Sequence, residues 1–365
     1  MKQLGFAIGL VLVLALGPIA FVMPSRAFAQ GAVRDQSGAL TATQTDNSKS
    51  WFERKFAGSY AELSNYLGSG TFYASGYHDP YVSTALYLKP VYKLGTKRDL
   101  ALNARLYLET EYTAPDNPQA RRFYPLDPWI WLTARNLHTW ERSKIRLGGL
   151  VRLVIPMSYE SRYANLLFGT AVGGSAVRNF ELGPANAQGK HWGLNLALGS
   201  VFTKNVHSSV LRGKFPGDTS GCRTAQGLPT LSSGGSPSAS GSDLCGGPLN
   251  TSFGIMTSMS ATLSHDPWSF SATLILINQF RYDIAPDAFT AIDGNARRGR
   301  DDLTWGLLSV GYEISSHLGV GAGVSTYQPA LDSRYRYPRI PFFDFSGGAN
   351  ANNYTQLFVN VNGTL

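Results

Sequence analysis

Arginine side chains at regular intervals are the feature of this sequence best suited to chemistry. Arg105, Arg135, Arg146 and Arg152 each fall on the polar positions of a stretch in which polar and apolar residues alternate. When residues are counted along each stretch from the short link at its end, the four arginines lie about three to nine residues from that link. This spacing predicts a ladder of guanidinium groups at mid-height on one surface. Rings of arginine or lysine attract anions in membrane pores. The spacing therefore predicts an anion-attracting passage.

The other charged residues on polar positions extend this surface, which is basic overall. The predicted inward-facing set comprises Lys89, Arg105, Arg135, Lys144, Arg146, Arg152 and Arg281 against Glu109, Glu111, Asp283 and Glu313. Glu109 and Glu111 are expected close above the ladder. An alternative stays open, because the same groups would close the interior if they paired with one another across it.

Residues 100–113 show why these positions should share a surface. Leu102 and Leu106 fall on one parity, and Arg105 and Glu109 fall on the other. This period of two is that of a β-strand with one apolar and one charged face. Strands of soluble sheets usually have about 5 to 6 residues, whereas a strand tilted across a bilayer needs roughly 9 to 11. The length and the alternation predict a transmembrane β-barrel with lipid outside and a polar lumen inside.

The N-terminal residues carry an export signal. Residues 1–29 contain an early lysine, an apolar run and an Ala-Phe-Ala motif of the kind that signal peptidase cuts, which predicts Gln30 as the mature start. An uncleaved anchor is the alternative, but Gly17 and Pro18 interrupt a run that is shorter than the roughly 20 residues of a span. Residues 30–50 are polar without periodicity, which predicts a flexible periplasmic tail.

A helix is expected between this tail and the barrel. Ser50 and Glu53 have the spacing of a capping box, and aromatic and leucine residues follow at steps of three and four. We therefore predict a short amphipathic helix at 51–66 that plugs the lumen or lies at its periplasmic mouth. Gly58 weakens this helix, and a disordered tail is the alternative.

Residues 67–365 divide into predicted strands and links. The strands lie at 68–78, 81–94, 99–113, 128–140, 143–157, 166–180, 190–203, 252–264, 268–282, 302–314, 317–328 and 353–363. Short links near 95–98, 141–142, 265–267 and 315–316 alternate with long links at 114–127, 204–251, 283–301 and 329–352, as turns and loops do in membrane barrels. The predicted fold class is all-β, a transmembrane antiparallel β-barrel of about twelve strands with a short N-terminal periplasmic helix.

Aromatic residues near the strand ends support these bounds. Aromatic girdles mark the two interfaces of a membrane barrel. The residues expected there are Trp129, Trp131, Trp140, Trp192, Trp268 and Trp305, with Tyr112, Phe202, Phe280 and Tyr282 extending the outer girdle.

The C-terminal strand completes a resemblance. Leu357 and Val361 share one parity, as in the terminal strand that the outer-membrane assembly machinery recognises, although Gly363 and Leu365 depart from that pattern. With the export signal and the alternating strands, residues 68–365 resemble a bacterial outer-membrane β-barrel. The resemblance implies the Gram-negative outer membrane as the location, and outer-membrane lipid, lipopolysaccharide and the assembly machinery as partners. It points to no particular subfamily, so no functional residues transfer.

A cysteine pair lies in the longest predicted outer loop. Cys222 and Cys245 are the two cysteines of the chain, and in an exported protein an even pair predicts a disulfide. Closing a loop of this size contributes roughly 3 kcal/mol in the chain-entropy model. No cluster of histidine or carboxylate accompanies the pair, which argues against a metal site.

Arginine motifs recur in three of the predicted outer loops. Their members are Arg121, Arg122, Arg297, Arg298, Arg334, Arg336 and Arg339, several of them beside aromatic residues. Guanidinium groups bind phosphate and carboxylate through two parallel hydrogen bonds. We expect these loops to gather anionic solute at the mouth or to grip lipopolysaccharide phosphates, and solvated loops without a ligand are the alternative.

Three classes of function are compatible with these features. The formal net charge of +8 suits anionic partners, and no nucleic-acid-binding motif is present. His207 and Ser209 near a strand end suggest a lipid hydrolase, although no residue that would orient the histidine is identifiable. A structural or adhesive barrel that binds a partner through its loops is the third class. We predict a non-enzymatic channel, without a cofactor, for small polar solutes with a preference for anions.

Overall fold

Antiparallel strands make up most of the described chain. The computed structural model describes residues 50–68, 82–95, 98–112, 124–158, 161–162, 164–183, 192–210, 250–282, 300–330 and 355–365. The predicted export signal, the polar tail, Asp283, the arginine motifs of the outer loops and the pair Cys222 and Cys245 lie outside these residues.

Twelve strands and one short helix form the described fold. The helix α1 is Trp51–Phe56; the strands are β1 Tyr60–Gly68, β2 in two segments Val82–Lys89 and Val91–Gly95, β3 Leu100–Glu111, β4 Trp129–Trp140, β5 Ile145–Val154, β6 Leu166–Leu182, β7 Trp192–His207, β8 Thr251–His265, β9 Trp268–Arg281, β10 Arg300–Ser315, β11 Leu318–Pro329 and β12 Gln356–Thr364. A two-residue piece, Tyr124–Pro125, also pairs with β3. Each strand pairs with its neighbours in sequence, and β1 pairs with β12, so the sheet closes into a barrel.

The period-two alternation of the sequence decides which side chains face outward. In β3, Arg105 is buried inside the barrel, whereas Leu102 on the opposite parity is exposed on the outer surface. The neighbouring strands show the same division, since Ile130 and Val151 are exposed outside and Trp131 is buried inside. Among the described residues, no helix has the length and apolar character to cross a bilayer. The predicted all-β fold class is confirmed.

The first strand lies earlier than predicted, and the helix is shorter. The capping box of Ser50 and Glu53 is present, but α1 ends at Phe56 rather than continuing to residue 66. Ala57, the C-cap, already leaves the helical conformation with a ψ of 127°, and Gly58 then adopts a positive φ of 89° that turns the chain toward β1. Tyr60–Gly68 is a strand, so the prediction of a helix continuing to residue 66 is wrong. The strand predicted at 68–78 lies, after Gly68, outside the described residues.

The pairing of the first and last strands explains this shift. Tyr60 pairs with Thr364 and Gly68 pairs with Gln356, so β1 and β12 align over their whole lengths. The main-chain N–H of Leu365 also donates to the carbonyl oxygen of Ser59 at 3.1 Å. Backbone groups in lipid must be paired within the protein. The leucine spacing of residues 60–68 also fits a helix. Pairing with β12, which closes the ring, therefore stabilises the strand at these residues.

The turns at one end of the barrel are short. Turns of a few residues join β2 to β3, β4 to β5, β8 to β9 and β10 to β11, as predicted. Lys144, predicted to line the lumen, lies instead in the turn after β4, where it adopts a positive φ of 57°. We call this end periplasmic, because short turns of outer-membrane barrels face the periplasm. Helix α1 and the C-terminus lie at the same end.

Aromatic rings form bands on the outer surface. Near the periplasmic end the ring centroids of Trp268 and Tyr312 are 4.8 Å apart. Near the outer end Phe253 stacks on Phe280 at 4.5 Å and lies 5.8 Å from Phe202. These contacts confirm the girdle prediction for Phe202, Phe280 and Trp268.

Three tryptophans expected in the girdle lie inside the barrel instead. Trp129, Trp131 and Trp305 are buried and pack in one cluster with other inward-facing side chains. The prediction was wrong for them because closeness to a strand end does not decide the face of the sheet, which depends on parity. The cluster also contains Tyr66, Tyr87, Tyr107, Val154, Ile275, Leu307 and Phe358. Part of the lumen is therefore filled by apolar side chains.

Candidate functional site in the barrel lumen

The site is built around one tryptophan and two arginines on three neighbouring strands. Arg105 of β3 is directly opposite Trp129 of β4, and Arg152 of β5 is opposite Trp131. The guanidinium carbons of Arg105 and Arg152 lie 3.3 and 3.9 Å from the centroid of the Trp129 ring. Arginine stacks on aromatic faces through cation–π attraction, which strengthens when water is excluded. We call these three residues the Arg–Trp cluster.

Burial and hydrogen bonds hold both arginines in place. Arg105 is 4% exposed and Arg152 is 8% exposed. Arg105 donates from Nη2 to the carbonyl oxygen of Asp127 at 3.1 Å, and Arg152 donates from Nη2 to Oγ1 of Thr203 at 3.5 Å. Both arginines have further interactions. The two side chains are therefore fixed at the lumen wall.

Two carboxylates lie above Arg105 on the same strand, as predicted. Glu109 and Glu111 share its inward parity, and both are buried. Each of them interacts with other groups of the protein. The outer half of β3 thus presents a buried, mixed-charge surface.

Asp127 organises the outer side of the cluster and was not predicted. Its Oδ1 accepts from the main-chain N–H groups of Met157 at 2.9 Å and Ser158 at 2.8 Å. Its Oδ2 accepts from the hydroxyl of Ser161. The main-chain carbonyl oxygen of Asp127 also accepts a hydrogen bond from Arg105. Asp127 therefore connects the segment that follows β5 to the Arg–Trp cluster. The signal in the sequence is a lone Asp between strands, which is common in turns.

Arg135 and Arg146 lie apart from the Arg–Trp cluster, so the predicted four-membered ladder divides. Nη1 of Arg135 is 3.8 Å from a carboxylate oxygen of Asp99 in the turn after β2. Arg146 is half-buried and pairs in register with Thr139 and Val177. Both lie closer to the periplasmic end of their strands than Arg152 does. They add positive charge below the cluster without joining it.

The remaining predicted lumen residues take separate positions. Lys89 is buried and lies opposite Tyr60 near the start of β1. Arg281 is half-buried at the outer end of β9, and Glu313 is exposed beside a periplasmic turn. The arrangement therefore brings Arg105 and Arg152 together and distributes the other charges along the wall.

Glu62 is a buried carboxylate that the sequence analysis missed. It accepts hydrogen bonds from the hydroxyls of Tyr60 and Ser64 and from Nδ2 of Asn360, the last at 3.3 Å. The prediction of a helix over 51–66 concealed it. The alternation of Glu62, Ser64 and Tyr66 with Ala61, Leu63 and Leu67 is the signal that could have found it.

Small residues line other parts of the wall near the periplasmic end. The inward positions there in β9, β10 and β11 include Ser269, Ser271, Ser309, Gly311, Gly319 and Gly321. Further up the same strands the inward residues are Ile275, Trp305 and Tyr327. The passage is therefore lined by short side chains near the periplasmic turns and by bulky ones beyond them.

His207 has a structural environment rather than that of a catalytic base. Its Nδ1 lies 2.7 Å from the carbonyl oxygen of Ala164, and its Nε2 lies 3.2 Å from that of Thr251. The side chain of Asn250 also donates to Ala164, at 2.6 Å. Both ring nitrogens of the histidine are thus held against main-chain oxygens, and this geometry gives no support to a hydrolytic pair with Ser209.

Three comparisons with known proteins were made. No protein-family model matches the chain, and a search of curated proteins finds no match. An outer-membrane channel from Pseudomonas putida F1 aligns with 89% of this chain and 100% of its own, at 11% identity and a TM-score of 0.45. Omp33 of Acinetobacter baumannii aligns with 85% of this chain and 98% of its own, at 8% identity and a TM-score of 0.28.

A third similar structure belongs to a different kind of barrel. The translocator domain of the autotransporter NalP from Neisseria meningitidis aligns with 84% of this chain and 86% of its own, at 9% identity and a TM-score of 0.32. At these values the likeness concerns the fold and identifies no function.

The architecture itself defines the class of protein. The sheet is closed, its outer surface is apolar and exposed, and aromatic bands lie near both ends. These are the features of a transmembrane β-barrel of the bacterial outer membrane. The protein is therefore an outer-membrane β-barrel of twelve strands.

Proposed function

We propose that this barrel is an outer-membrane channel for small polar solutes and that it prefers anions. The observation that carries the proposal is the Arg–Trp cluster, which holds two guanidinium groups against the lumen wall. Twelve strands enclose a lumen between that of an eight-stranded barrel, which side chains fill, and that of a sixteen-stranded porin. A few long side chains therefore dominate the passage.

Electrostatics supports the anion preference. A guanidinium group keeps its charge under all ordinary conditions. Charges lining a narrow passage of low dielectric act more strongly on an ion than charges at an open surface. Arg146 lies below the cluster on β5 and extends the positive surface toward the periplasmic mouth. Arg135, at a similar level, lies beside the carboxylate of Asp99, which offsets its charge. Glu109 and Glu111 moderate this field on the outer side.

A specific observation favours a second candidate, a closed barrel whose loops bind a partner. The apolar cluster that includes Tyr87, Trp131, Ile275 and Phe358 occupies part of the lumen. A packed interior of this kind is what a structural or adhesive barrel requires. The outer loops with their arginine motifs would then contact lipopolysaccharide or another anionic surface.

Planar bilayers distinguish the two candidates. Purified protein is added to a bilayer, and conductance and the reversal potential in a salt gradient are measured. We expect stepwise conductance and a reversal potential on the anion-selective side. In the double variant Arg105→Gln with Arg152→Gln, the reversal potential should move toward cation selectivity, because two positive charges are removed while most of the side-chain volume is kept.

Two further variants serve as controls. Arg105→Lys with Arg152→Lys keeps both charges and should keep anion selectivity. Arg178→Gln changes an exposed arginine on the lipid-facing parity, whose guanidinium lies over the ring of Phe180, and should leave the reversal potential unchanged. An unaltered reversal potential in the folded, conducting glutamine variant contradicts the anion preference. Absence of conductance in the wild type contradicts the channel and supports the second candidate.

A further inference from the structure

Helix α1 covers a strand edge that the barrel leaves unpaired. The register of β1 against β2 begins at Tyr60 opposite Lys89, so the second segment of β2, Val91–Gly95, extends beyond β1. Residues that precede β1 form hydrogen bonds with the backbone of this edge. The hydroxyl of Ser59 accepts from the N–H of Val91 at 2.9 Å, and Nζ of Lys55 donates to the carbonyl oxygen of Lys93 at 3.4 Å. The helix therefore has a fixed place at the periplasmic rim.

The aromatic residues of α1 continue the outer surface of the barrel. Tyr92 has the outward parity of β2 and pairs with Leu102, which is exposed on the outer face. The ring of Phe56 lies 5.6 Å from that of Tyr92, and the ring of Phe52 stacks on Phe56 at 4.6 Å. A row of three rings thus leads from the barrel wall to the helix. The helix does not plug the lumen.

The end of this row is apolar and uncovered. Trp51 is 59% exposed and Phe52 is 46% exposed. Monomeric soluble surfaces rarely present large aromatic side chains side by side, whereas such residues concentrate at membrane interfaces. The same turn carries cations, since Arg54 and Lys55 follow Phe52. Aromatic side chains with adjacent cations are the composition of helices that lie in the lipid headgroup region.

We propose that α1 is an interfacial anchor that inserts Trp51 and Phe52 into the periplasmic leaflet of the outer membrane, with Arg54 against lipid phosphates. Phe56 contacts Tyr92 on the lipid-facing wall of the barrel, so the aromatic surface of α1 is continuous with that wall. For this reason we infer that the partner of α1 is the bilayer. The anchor covers the free edge of β2 on one side and contacts lipid on the other. This assignment is independent of whether the lumen conducts.

Fluorescence quenching in vesicles tests the anchor. The full-length protein and the variant Trp51→Phe are reconstituted in vesicles of phosphatidylcholine and phosphatidylglycerol, and the difference between their emission spectra reports Trp51. Lipids brominated near the headgroup should quench this difference signal more than lipids brominated near the chain ends. Iodide in the aqueous phase should quench it weakly.

Two other tryptophans calibrate the measurement. The difference in emission between the wild type and Trp268→Phe reports Trp268, an exposed girdle residue on the barrel wall. The difference between the wild type and Trp129→Phe reports Trp129, a buried lumen residue. The Trp268 signal should respond to brominated lipid as that of Trp51 does, and the Trp129 signal should not. A Trp51 signal that iodide quenches and brominated lipid does not would place the helix face in water and overturn the proposal.

A double variant separates the anchor from the channel. Trp51→Ser with Phe52→Ser leaves every strand residue unchanged, so the barrel should fold and show the same heat-dependent mobility in detergent gels. Its conductance should equal that of the wild type. For this comparison a fluorophore is attached at position 50 in both the double variant and the wild-type background. Weaker quenching of this fluorophore by shallow brominated lipid in the double variant supports the anchor, and equal quenching contradicts it.

Discussion

The ring of Phe358 lies across the backbone of Gly323 on the neighbouring strand. A Cβ atom at Gly323 would be 2.6 Å from Cζ of Phe358 and 2.3 Å from the carbonyl oxygen of Leu308. Real Cβ atoms do not approach other atoms so closely. The absence of a side chain at this position is therefore what allows Phe358 to pack into the lumen cluster.

Replacing this glycine should destabilise the barrel. Gly323→Ala forces a shift of the backbone or of Phe358, and overpacking of this kind costs typically about 1 to 3 kcal/mol. Urea unfolding in detergent micelles measures the loss. Gly174→Ala is the matched control, because a Cβ there would be 3.8 Å from its nearest neighbour and should be neutral or slightly stabilising. Equal stability of the two variants would contradict the packing argument.

The Trp129 ring should be necessary for ordering the two arginines. Trp129→Leu removes the aromatic face, and stacking of a desolvated guanidinium on tryptophan contributes about 2 kcal/mol. We expect a less stable barrel and a smaller anion selectivity, whereas Trp129→Phe should retain much of both. Trp140→Leu, on the exposed outer surface, should leave the reversal potential unchanged. A stable Trp129→Leu variant with wild-type selectivity would show that the ring is dispensable.

Asp127 should hold the link after β5 against the Arg–Trp cluster. Asp127→Ala leaves the N–H groups of Met157 and Ser158 without their acceptor, at a cost of about 1 to 3 kcal/mol if they stay buried. Trypsin should then cut after the exposed Arg162 faster than in the wild type. Asp127→Asn keeps one acceptor oxygen and should be cut at a rate close to that of the wild type. Equal rates for all three proteins would mean that the carboxylate does not fix this segment.

The assignment of lipid-facing and lumen-facing positions can be tested with arginine. Val151 is 61% exposed on the outer surface, so Val151→Arg places a charge in lipid and should cost about 2 to 4 kcal/mol near mid-membrane. Ser175→Arg places the same side chain on the inward parity opposite Gly148 and should cost less. Folding yield into vesicles and urea midpoints compare the two. A greater loss in the Ser175 variant would invert the assignment.

Surface labelling checks which end of the barrel faces outward. With Cys222 and Cys245 replaced by serine, a new cysteine at Asn165, in the link before β6, should react with an impermeant maleimide on intact cells. A cysteine at Glu141, in the turn after β4, should react only after the outer membrane is permeabilised. The reverse result would mean that the short turns lie outside.

Alternation in the sequence was sufficient to predict most of the fold. The predicted strands at 166–180 and 268–282 correspond closely to Leu166–Leu182 and Trp268–Arg281. The reason is physical: a strand between lipid and lumen must place opposite polarities on opposite faces, so its residues record the period directly. The inward position of Arg105, Glu109, Arg152 and Lys89 follows from the same parity.

Residues 60–68 show where local pattern was insufficient. Tyr60, Leu63 and Leu67 have helical spacing, and Glu62, Ser64 and Tyr66 have strand spacing, so both structures are compatible with the sequence. The choice depends on the terminal strand, nearly three hundred residues away, which needs a partner to close the ring. A pattern within nine residues cannot contain that information.

The division of the arginine ladder has a similar cause. Heights counted from each strand's own turn ignore the stagger between strands, which the shear of the closed barrel sets. In the folded protein Arg105 lies level with Trp129, whereas Arg135 lies level with the turn residue Asp99. The sequence by itself determined most of the strands and, through the parity of their residues, the inward position of Arg105, Glu109 and Arg152. The tertiary structure alone decided which of those charges meet, because only the closed barrel fixes the register between strands.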